Sequence, residues 1–312
     1  MKIGYPCINT SIQRNTHSTF RLAFYSESRL IQTVEDNLKH LAKVLRYNVV
    51  HDLLFFRISS DLVPFASHPI CKFNWSKHFQ SEFEEIGNYI KKHHIRISMH
   101  PDQFVVINSP TEKIVHNSIN ELKYHCKVLD CMNLPESAKI QIHVGGVYGN
   151  KIDSISRFVK IYNNDNSKLL DYFIKKRLII ENDDRLYNLS ECLYINQETG
   201  IPILFDSFHH ECLNSGDEPM ISALRKAMST WKKDRDGIPM VDYSSQSVID
   251  IDYYGMVKSK TKRGKHTTTI DQNLFQRFLK ETIGLDFDLM LEIKDKEKSA
   301  LVALELLRKQ GE

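Results

Sequence analysis

Short runs of Ile, Val, Leu and Phe recur along the chain, separated by longer stretches in which apolar residues return every third or fourth position. The short runs are too brief for amphipathic helices and rich in β-formers, so they predict buried strands. They fall at 2–7 (KIGYPC), 52–58 (DLLFFRI), 95–99 (IRISM), 139–144 (KIQIHV), 177–181 (RLIIE), 201–206 (IPILFD), 237–242 (GIPMVD) and 287–293 (FDLMLEI). The stretches between them, at 30–50, 79–92, 117–132, 155–164, 188–197, 219–229 and 271–283, carry the helical period, and a further helix is predicted at 296–310. Eight strands alternating with eight helices predict an α/β fold in which the sheet closes into a (β/α)8 TIM barrel.

No Gly-, Ser- or Pro-rich linker and no low-complexity segment divides the sequence, so one barrel domain over residues 1–312 is expected. One stretch breaks the rhythm. Residues 244–269 form a long polar loop containing KSKTKRGKH, and a loop after a barrel strand overhangs the face where such folds do chemistry.

Composition narrows the class without naming a function. Hydrophobic residues make up 41% of the 312 and charged residues 26%, which excludes a disordered or fibrous chain. The net charge of +3 is too small to signal a nucleic-acid ligand, so any basic footprint must be local. Six scattered cysteines form no CxxC pair, and no apolar run approaches the length of a membrane span. The expectation is a reduced, soluble, cytoplasmic protein with no membrane association and no implied protein partner.

The strand ends carry the chemistry. The run ISMHPDQF turns polar at His100, and the pattern recurs: His143, Glu181, Asp206, Asp242 and Glu292 close the strands that follow. In a closed barrel these ends converge on one mouth. His209, in DSFHH, and His266, in the basic loop, add two more nitrogen donors. Any single one of these is an ordinary turn residue, but four carboxylates at one partly buried mouth need compensating cations. His93, His94, His116 and His125 belong to helices as packing or surface residues, and His210 is expected to support His209 without being a ligand. Imidazole and carboxylate without thiolate suit Mn²⁺, Zn²⁺ or Fe²⁺, and eight donors exceed what one ion takes. Two or three divalent ions follow, an arrangement suited to in-line phosphoryl chemistry on a phosphodiester.

The blocks GYPCIN, FRISSDLVPFASHP, SMHPDQFV, HVGGVYG, ENDDR, DSFHH and LEIKDKE, in order from residue 4 to residue 297, together resemble the UV damage endonuclease family. The resemblance implies a TIM-barrel metalloenzyme related to the endonuclease IV group, acting on damaged double-stranded DNA. Such an enzyme nicks immediately 5′ of cyclobutane pyrimidine dimers and 6-4 photoproducts, leaving a 3′-hydroxyl and a 5′-phosphate. It implies two or three divalent ions, manganese first and magnesium or zinc as alternatives, on His100, His143, Glu181, Asp206, His209, Asp242, His266 and Glu292. Glu181, His100, His143 and Asp206 form the catalytic set. It further implies that Gln103 and Phe104 fill the gap in the helix opposite the lesion and that Tyr5 and Asn9 face the extruded bases. In the basic loop, Lys258, Lys260, Lys262, Arg263 and Lys265 would hold backbone phosphates. Three positions depart from the family pattern. Asp242 stands where some members carry histidine, Met240 where some carry a modified lysine, and Phe104 where relatives probe the lesion with tyrosine.

Three other readings share parts of this pattern. A sugar isomerase or epimerase uses the same fold and donors but has no role for Gln103, Phe104 or the basic loop. An abasic-site endonuclease shares the chemistry without the dimer preference, and a non-catalytic lesion binder has no need of eight ligands.

Overall fold

The structure, a computed structural model, describes residues 1–12, 17–164, 170–214, 216–247, 250–251, 257–259 and 263–310. Its strands are β1 (Ile3–Pro6), β2 (Phe55–Ile58), β3 (Arg96–Met99), β4 (Lys139–His143), β5 (Leu178–Glu181), β6 (Ile203–Asp206), β7 (Met240–Tyr243), β8 (Asp250–Ile251), β9 (Val257–Ser259) and β10 (Asp288–Leu291). All except β8 and β9 pair in parallel and close on themselves in the order β1-β10-β7-β6-β5-β4-β3-β2, with helices in the crossovers. This is the expected TIM barrel. β8 and β9 form a separate antiparallel pair inside the 244–269 stretch.

Period two along each barrel strand sorts side chains into two populations. Outward residues such as Phe56, Ile97, Ile140, Ile142, Ile180, Phe205, Val241 and Leu289 pack under the helices in the main core. Inward residues stack in layers. Phe55, Ile179, Leu204, Met240 and Met290, with Trp231, form an apolar plug inside the barrel. Two residues further along the same strands come Arg57, Glu181, Asp206, Asp242 and Glu292, joined by Gln141 from β4. The polar layer is therefore the next turn of the pleat above a dry floor.

Backbone constraints bring the strands and loops into place. Gly4 is needed where β1 pairs with β2, because a Cβ there would lie 1.9 Å from the Phe55 carbonyl oxygen. Gly145, at φ +115 just beyond β4, lets the loop turn against Asn108, whose amide bonds the Gly146 carbonyl. Ser26, Asp171 and Asp271 cap the helices Glu27–Val50, Tyr172–Arg177 and Gln272–Glu281, and Asn188 with Glu191 forms a capping box on Leu189–Thr199.

Candidate metal centre

The six strand-end residues do converge. His143 and Glu181 are register partners across β4 and β5, and Asp206 pairs with Asp242 across β6 and β7. His100 and Glu292 sit one residue past β3 and β10. The strands are mostly a few residues shorter than expected, and one boundary bears on the site: β7 runs to Tyr243, so Asp242 lies within the strand and points into the barrel. Met240, two residues earlier, is part of the apolar plug beneath it.

Three groups, each with ligand atoms within 4.8 Å of one another, could hold a cation among the described residues: His100, His143 and Glu181; Glu181, Asp206 and His209; Asp206, Asp242 and Glu292. Glu181 and Asp206 each belong to two groups. The eighth expected ligand, His266, joins none of them. Its Nδ1 donates to the Glu292 carbonyl at 2.7 Å and lies 3.7 Å from Glu292 Oε2, while its ring packs edge-on against Phe208.

Glu181 is the hub. Its Oε2 lies 3.5 Å from His100 Nε2 and 3.9 Å from His143 Nε2, and its Oε1 lies 3.1 Å from His209 Nδ1. The other ring nitrogen of His100 donates to the Pro101 carbonyl at 2.8 Å, and that of His143 lies 3.5 Å from Asp183 Oδ2. His100 thereby keeps Nε2 as its acceptor atom, facing the shared carboxylate. Asp206 ends β6 and caps the helix Ser207–Cys212, its Oδ1 accepting from the His209 backbone N–H at 2.8 Å. The cap explains the DxxH spacing, since it fixes His209 beside the carboxylate that precedes it by three residues.

Burial and charge set the protonation pattern. Burial alone would raise the Glu181 carboxyl, but His143, His100 and His209 together hold it well below the usual range. Burial lifts Asp206 to about 7, with Glu181 and Glu292 adding to the rise and His209 opposing it. His209 is pushed down by burial, yet Asp206 and Glu181 outweigh this and raise it to about 12. In the protein alone, then, a proton on His209 is a counter-ion for two buried carboxylates. Asp206 Oδ2 and Asp242 Oδ1 are buried with no hydrogen-bond partner among the described residues. The orphaned Asp206 oxygen, 3.6 Å from His209 Nδ1 and grouped with Glu181, belongs to a donor set that divalent ions fit.

Two residues at the heart of the site escape a reading of strand ends. Arg57, from β2, is buried and donates to Asp242 Oδ2 at 2.6 Å, to Gln141 Oε1 at 2.7 Å and to Glu292 Oε1. Gln141 in turn donates from Nε2 to Glu181 Oε2 at 2.7 Å and to Asp242 Oδ2 at 2.9 Å. The mouth is therefore neutralised in part by a protein cation. The available signal is the pleat: Arg57 and Gln141 lie two residues beyond the inward Phe55 and Lys139.

The lesion-contact expectations divide. Gln103 and Phe104 sit on the loop just past His100 and are exposed, Phe104 at 76%. Tyr5 and Asn9 are a correction. Tyr5 occupies an outward position of β1, wholly buried against Phe56, and its hydroxyl donates to Asn48 Oδ1 at 2.5 Å. Asn9 donates to the same hydroxyl at 2.7 Å and accepts from the N–H groups of Ser11 and Ile12. The parity of β1 points Tyr5 away from the mouth, and both residues shape the loop from beneath. Arg263 is exposed and donates to the Glu211 carbonyl at 2.9 Å, while Lys265 lines the mouth. Lys260 and Lys262 lie outside the described residues, as does the side chain of Lys258.

Two connected recesses open over the centre. A cavity of 440 Å³ is lined by His100, Gln103, His143, Tyr148, Arg185 and His209. A broader trough of 820 Å³ runs past Arg57, Phe104, Lys265, His266, Lys294 and Lys296. No helix among the described residues is long and apolar enough to cross a membrane.

Comparison with known proteins bears on the whole chain. A crystal structure of SacUVDE superposes with a TM-score of 0.90 at 41% identity, covering 100% of this chain and 99% of that one. The UV DNA damage endonuclease of Clostridium perfringens (strain 13 / Type A) is 35% identical over 308 residues, 99% of this chain and 71% of that protein. The D-psicose 3-epimerase of Clostridium cellulolyticum H10 shares only the fold, at 12% identity and a TM-score of 0.52, over 88% of this chain and 93% of that one. The family described as UV-endonuclease UvdE matches residues 1–311, and the chain belongs to that family of UV DNA damage endonucleases.

Proposed function

We propose that this chain, acting as one catalytic domain, hydrolyses the phosphodiester immediately 5′ of UV photoproducts in double-stranded DNA with the help of divalent ions. Cyclobutane dimers and 6-4 photoproducts are the substrates, and the products carry a 3′-hydroxyl and a 5′-phosphate. The observation that carries the reading is the sharing of Glu181 between two candidate cation groups at the mouth, whose rim carries an exposed Gln103-Phe104 pair on the loop after His100. Manganese is the first choice of ion, since hard carboxylate oxygens and imidazoles suit it, with magnesium or zinc as alternatives.

His100 and His143 with Glu181 would hold one ion, and Glu181 with Asp206 and His209 another. Ions there would supply a nucleophile near neutral pH and counter the charge on the attacking and departing oxygens. Glu181, at the end of β5, would present its carboxylate to both ions, and Asp206, at the end of the adjacent β6, to the second. For His209 to act as a ligand through Nδ1, that nitrogen must give up the proton it donates to the Asn182 carbonyl at 3.0 Å. Lys265, Lys294 and Lys296 along the trough would take backbone phosphates, and Arg263 would extend the contact outward.

Recognition rests on deformability. A photoproduct stacks and pairs poorly, so extruding it costs less than extruding intact bases, and the mouth admits only nucleotides that have left the stack. Gln103 and Phe104 would fill the space left behind. The sugar-epimerase alternative leaves an exposed aromatic on the rim without a purpose.

Incubating the protein and Mn²⁺ with end-labelled duplexes carrying a dimer, a 6-4 photoproduct, an abasic site or no damage tests the reading. A single nick 5′ of each photoproduct is expected, and cutting of the abasic duplex alone would favour the endonuclease IV type of activity. Prolonged chelation should abolish nicking and readdition of Mn²⁺ should restore it; full activity after chelation would remove the ions from the mechanism. Replacing Gln103 and Phe104 together by alanine should weaken binding to dimer-containing DNA by about 1 to 3 kcal/mol, the worth of one stacked aromatic, with little change on undamaged duplex. Equal losses on both duplexes in a competition assay would make the pair a loop-shaping element.

A further inference from the structure

The third acidic group differs from the other two. Asp206, Asp242 and Glu292 bring three carboxylates together without an imidazole, yet two of them are already engaged by a cation that belongs to the protein. Arg57 donates Nη2 to Asp242 Oδ2 at 2.6 Å and Nη1 to Glu292 Oε1, and its guanidinium is buried, so water screens its charge poorly. The guanidinium is always charged and is a rigid fork suited to bridging two carboxylates. A divalent ion seated among the same carboxylates would face that charge at close range.

The guanidinium also reaches the hub. Its Nη2 donates to Gln141 Oε1 at 2.7 Å, which fixes the amide so that Nε2 points to Glu181 Oε2 and Asp242 Oδ2. An amide turned the other way would set its oxygen against two carboxylates and its NH₂ against the guanidinium. Arg57 therefore acts at two removes: it neutralises Asp242 and Glu292 directly, and it orients Glu181 through Gln141.

We propose that Arg57 takes the place of a third metal ion, so that this protein loads two divalent ions, and that Asp242 is a positioning residue held by Arg57, not a ligand. This rests on the two-ion part of the function proposed above. It also gives the Asp242 departure a physical meaning: an aspartate there pairs with a guanidinium, whereas an imidazole at that position would offer it no anion.

Metal content per chain tests the proposal independently of activity. The protein is stripped with chelator, reloaded with excess Mn²⁺, desalted and measured by elemental analysis, alongside titration calorimetry. Two ions per chain are expected for wild type and for Asp242→Asn, which keeps an oxygen for Arg57. Arg57→Gln, which removes the charge, should bind a third ion more weakly than the first two. Three ions on wild type, or loss of one ion in Asp242→Asn, would overturn the proposal, as would an Arg57→Gln protein that folds and still stops at two. Fewer than two ions on wild type would overturn the proposal by removing the two-ion centre it rests on, an outcome distinct from three. If Arg57→Gln fails to fold, wild type and Asp242→Asn decide the matter. Asp242→His provides a further check: with Arg57 still present, it should weaken the Arg57 contact without adding an ion, and a gain to three ions would also overturn the proposal.

Discussion

Glu181→Gln is expected to reduce nicking of dimer-containing DNA by on the order of a thousand-fold or more while leaving the barrel folded. The substitution keeps shape and removes charge at the atom pair that faces His100, His143 and His209. Both imidazole-bearing candidate groups pass through this side chain, so one change should weaken both of the proposed ion sites at once. Stability should suffer little, because the amide oxygen introduced by the substitution can still accept from Gln141, and removing a buried carboxylate relieves its repulsion of Asp206. The decisive measurement is single-turnover cleavage at saturating Mn²⁺, paired with metal content and circular dichroism. A folded variant that cuts at a near-native rate would take Glu181 out of the mechanism. One that is inactive but retains both ions would make the carboxylate a participant beyond metal binding.

What can be read from the sequence follows from period and position. Barrel strands buried on both faces give near-continuous apolar runs, and all eight are visible for that reason, together with the histidines and carboxylates at their ends. The helical period alone places the starts of Glu112–Cys131 and Lys151–Asn163 too late, because their first turns carry charged or exposed residues ahead of the apolar stripe. The parity of β1 hides the true place of Tyr5: an aromatic near a strand end looks like a rim residue until the pleat assigns it to the outer core. Arg57 and Gln141 go unnoticed because a search for ligands asks only for donors to metals. Charge balance asks for cations at the mouth, and one of them stands at the end of FFR, on a strand that supplies no metal ligand of its own. His266 shows the reverse, a donor of the right type in the right loop that joins none of the three groups among the described residues.

Asp236→Ala should cost about 3 to 5 kcal/mol of folding stability, a large share of what a domain of this kind possesses. At the opposite end of the barrel from the candidate metal centre, Lys139 opens β4 pointing inward, and its ammonium is wholly buried. It donates to Asp236 Oδ1 at 2.7 Å and to the Lys176 carbonyl at 2.7 Å. Asp236 also accepts from the Lys232 N–H at 2.9 Å and from Arg235. Removing the carboxylate leaves Lys139 charged, buried and short of its anion, whereas Arg235 is partly exposed and can turn to water. The pH dependence follows in sign. Burial lowers the Lys139 amine in the fold to about 8, against an ordinary 10.5, despite the pull of Asp236 in the other direction. Between those values the unfolded chain holds more protons, so this group makes stability rise with pH across the window. Without Asp236 the folded value falls further and the window widens toward neutrality, so the variant should recover stability as pH is raised from neutral. Lys139→Met combined with Asp236→Asn removes both charges while keeping an acceptor for Lys232, and should regain most of the loss. Urea unfolding of wild type, single and double variants across that pH range measures the coupling. A single variant within about 1 kcal/mol of wild type, or a double variant no better than the single, would show that the pair contributes little and that the apolar plug above it carries the barrel alone.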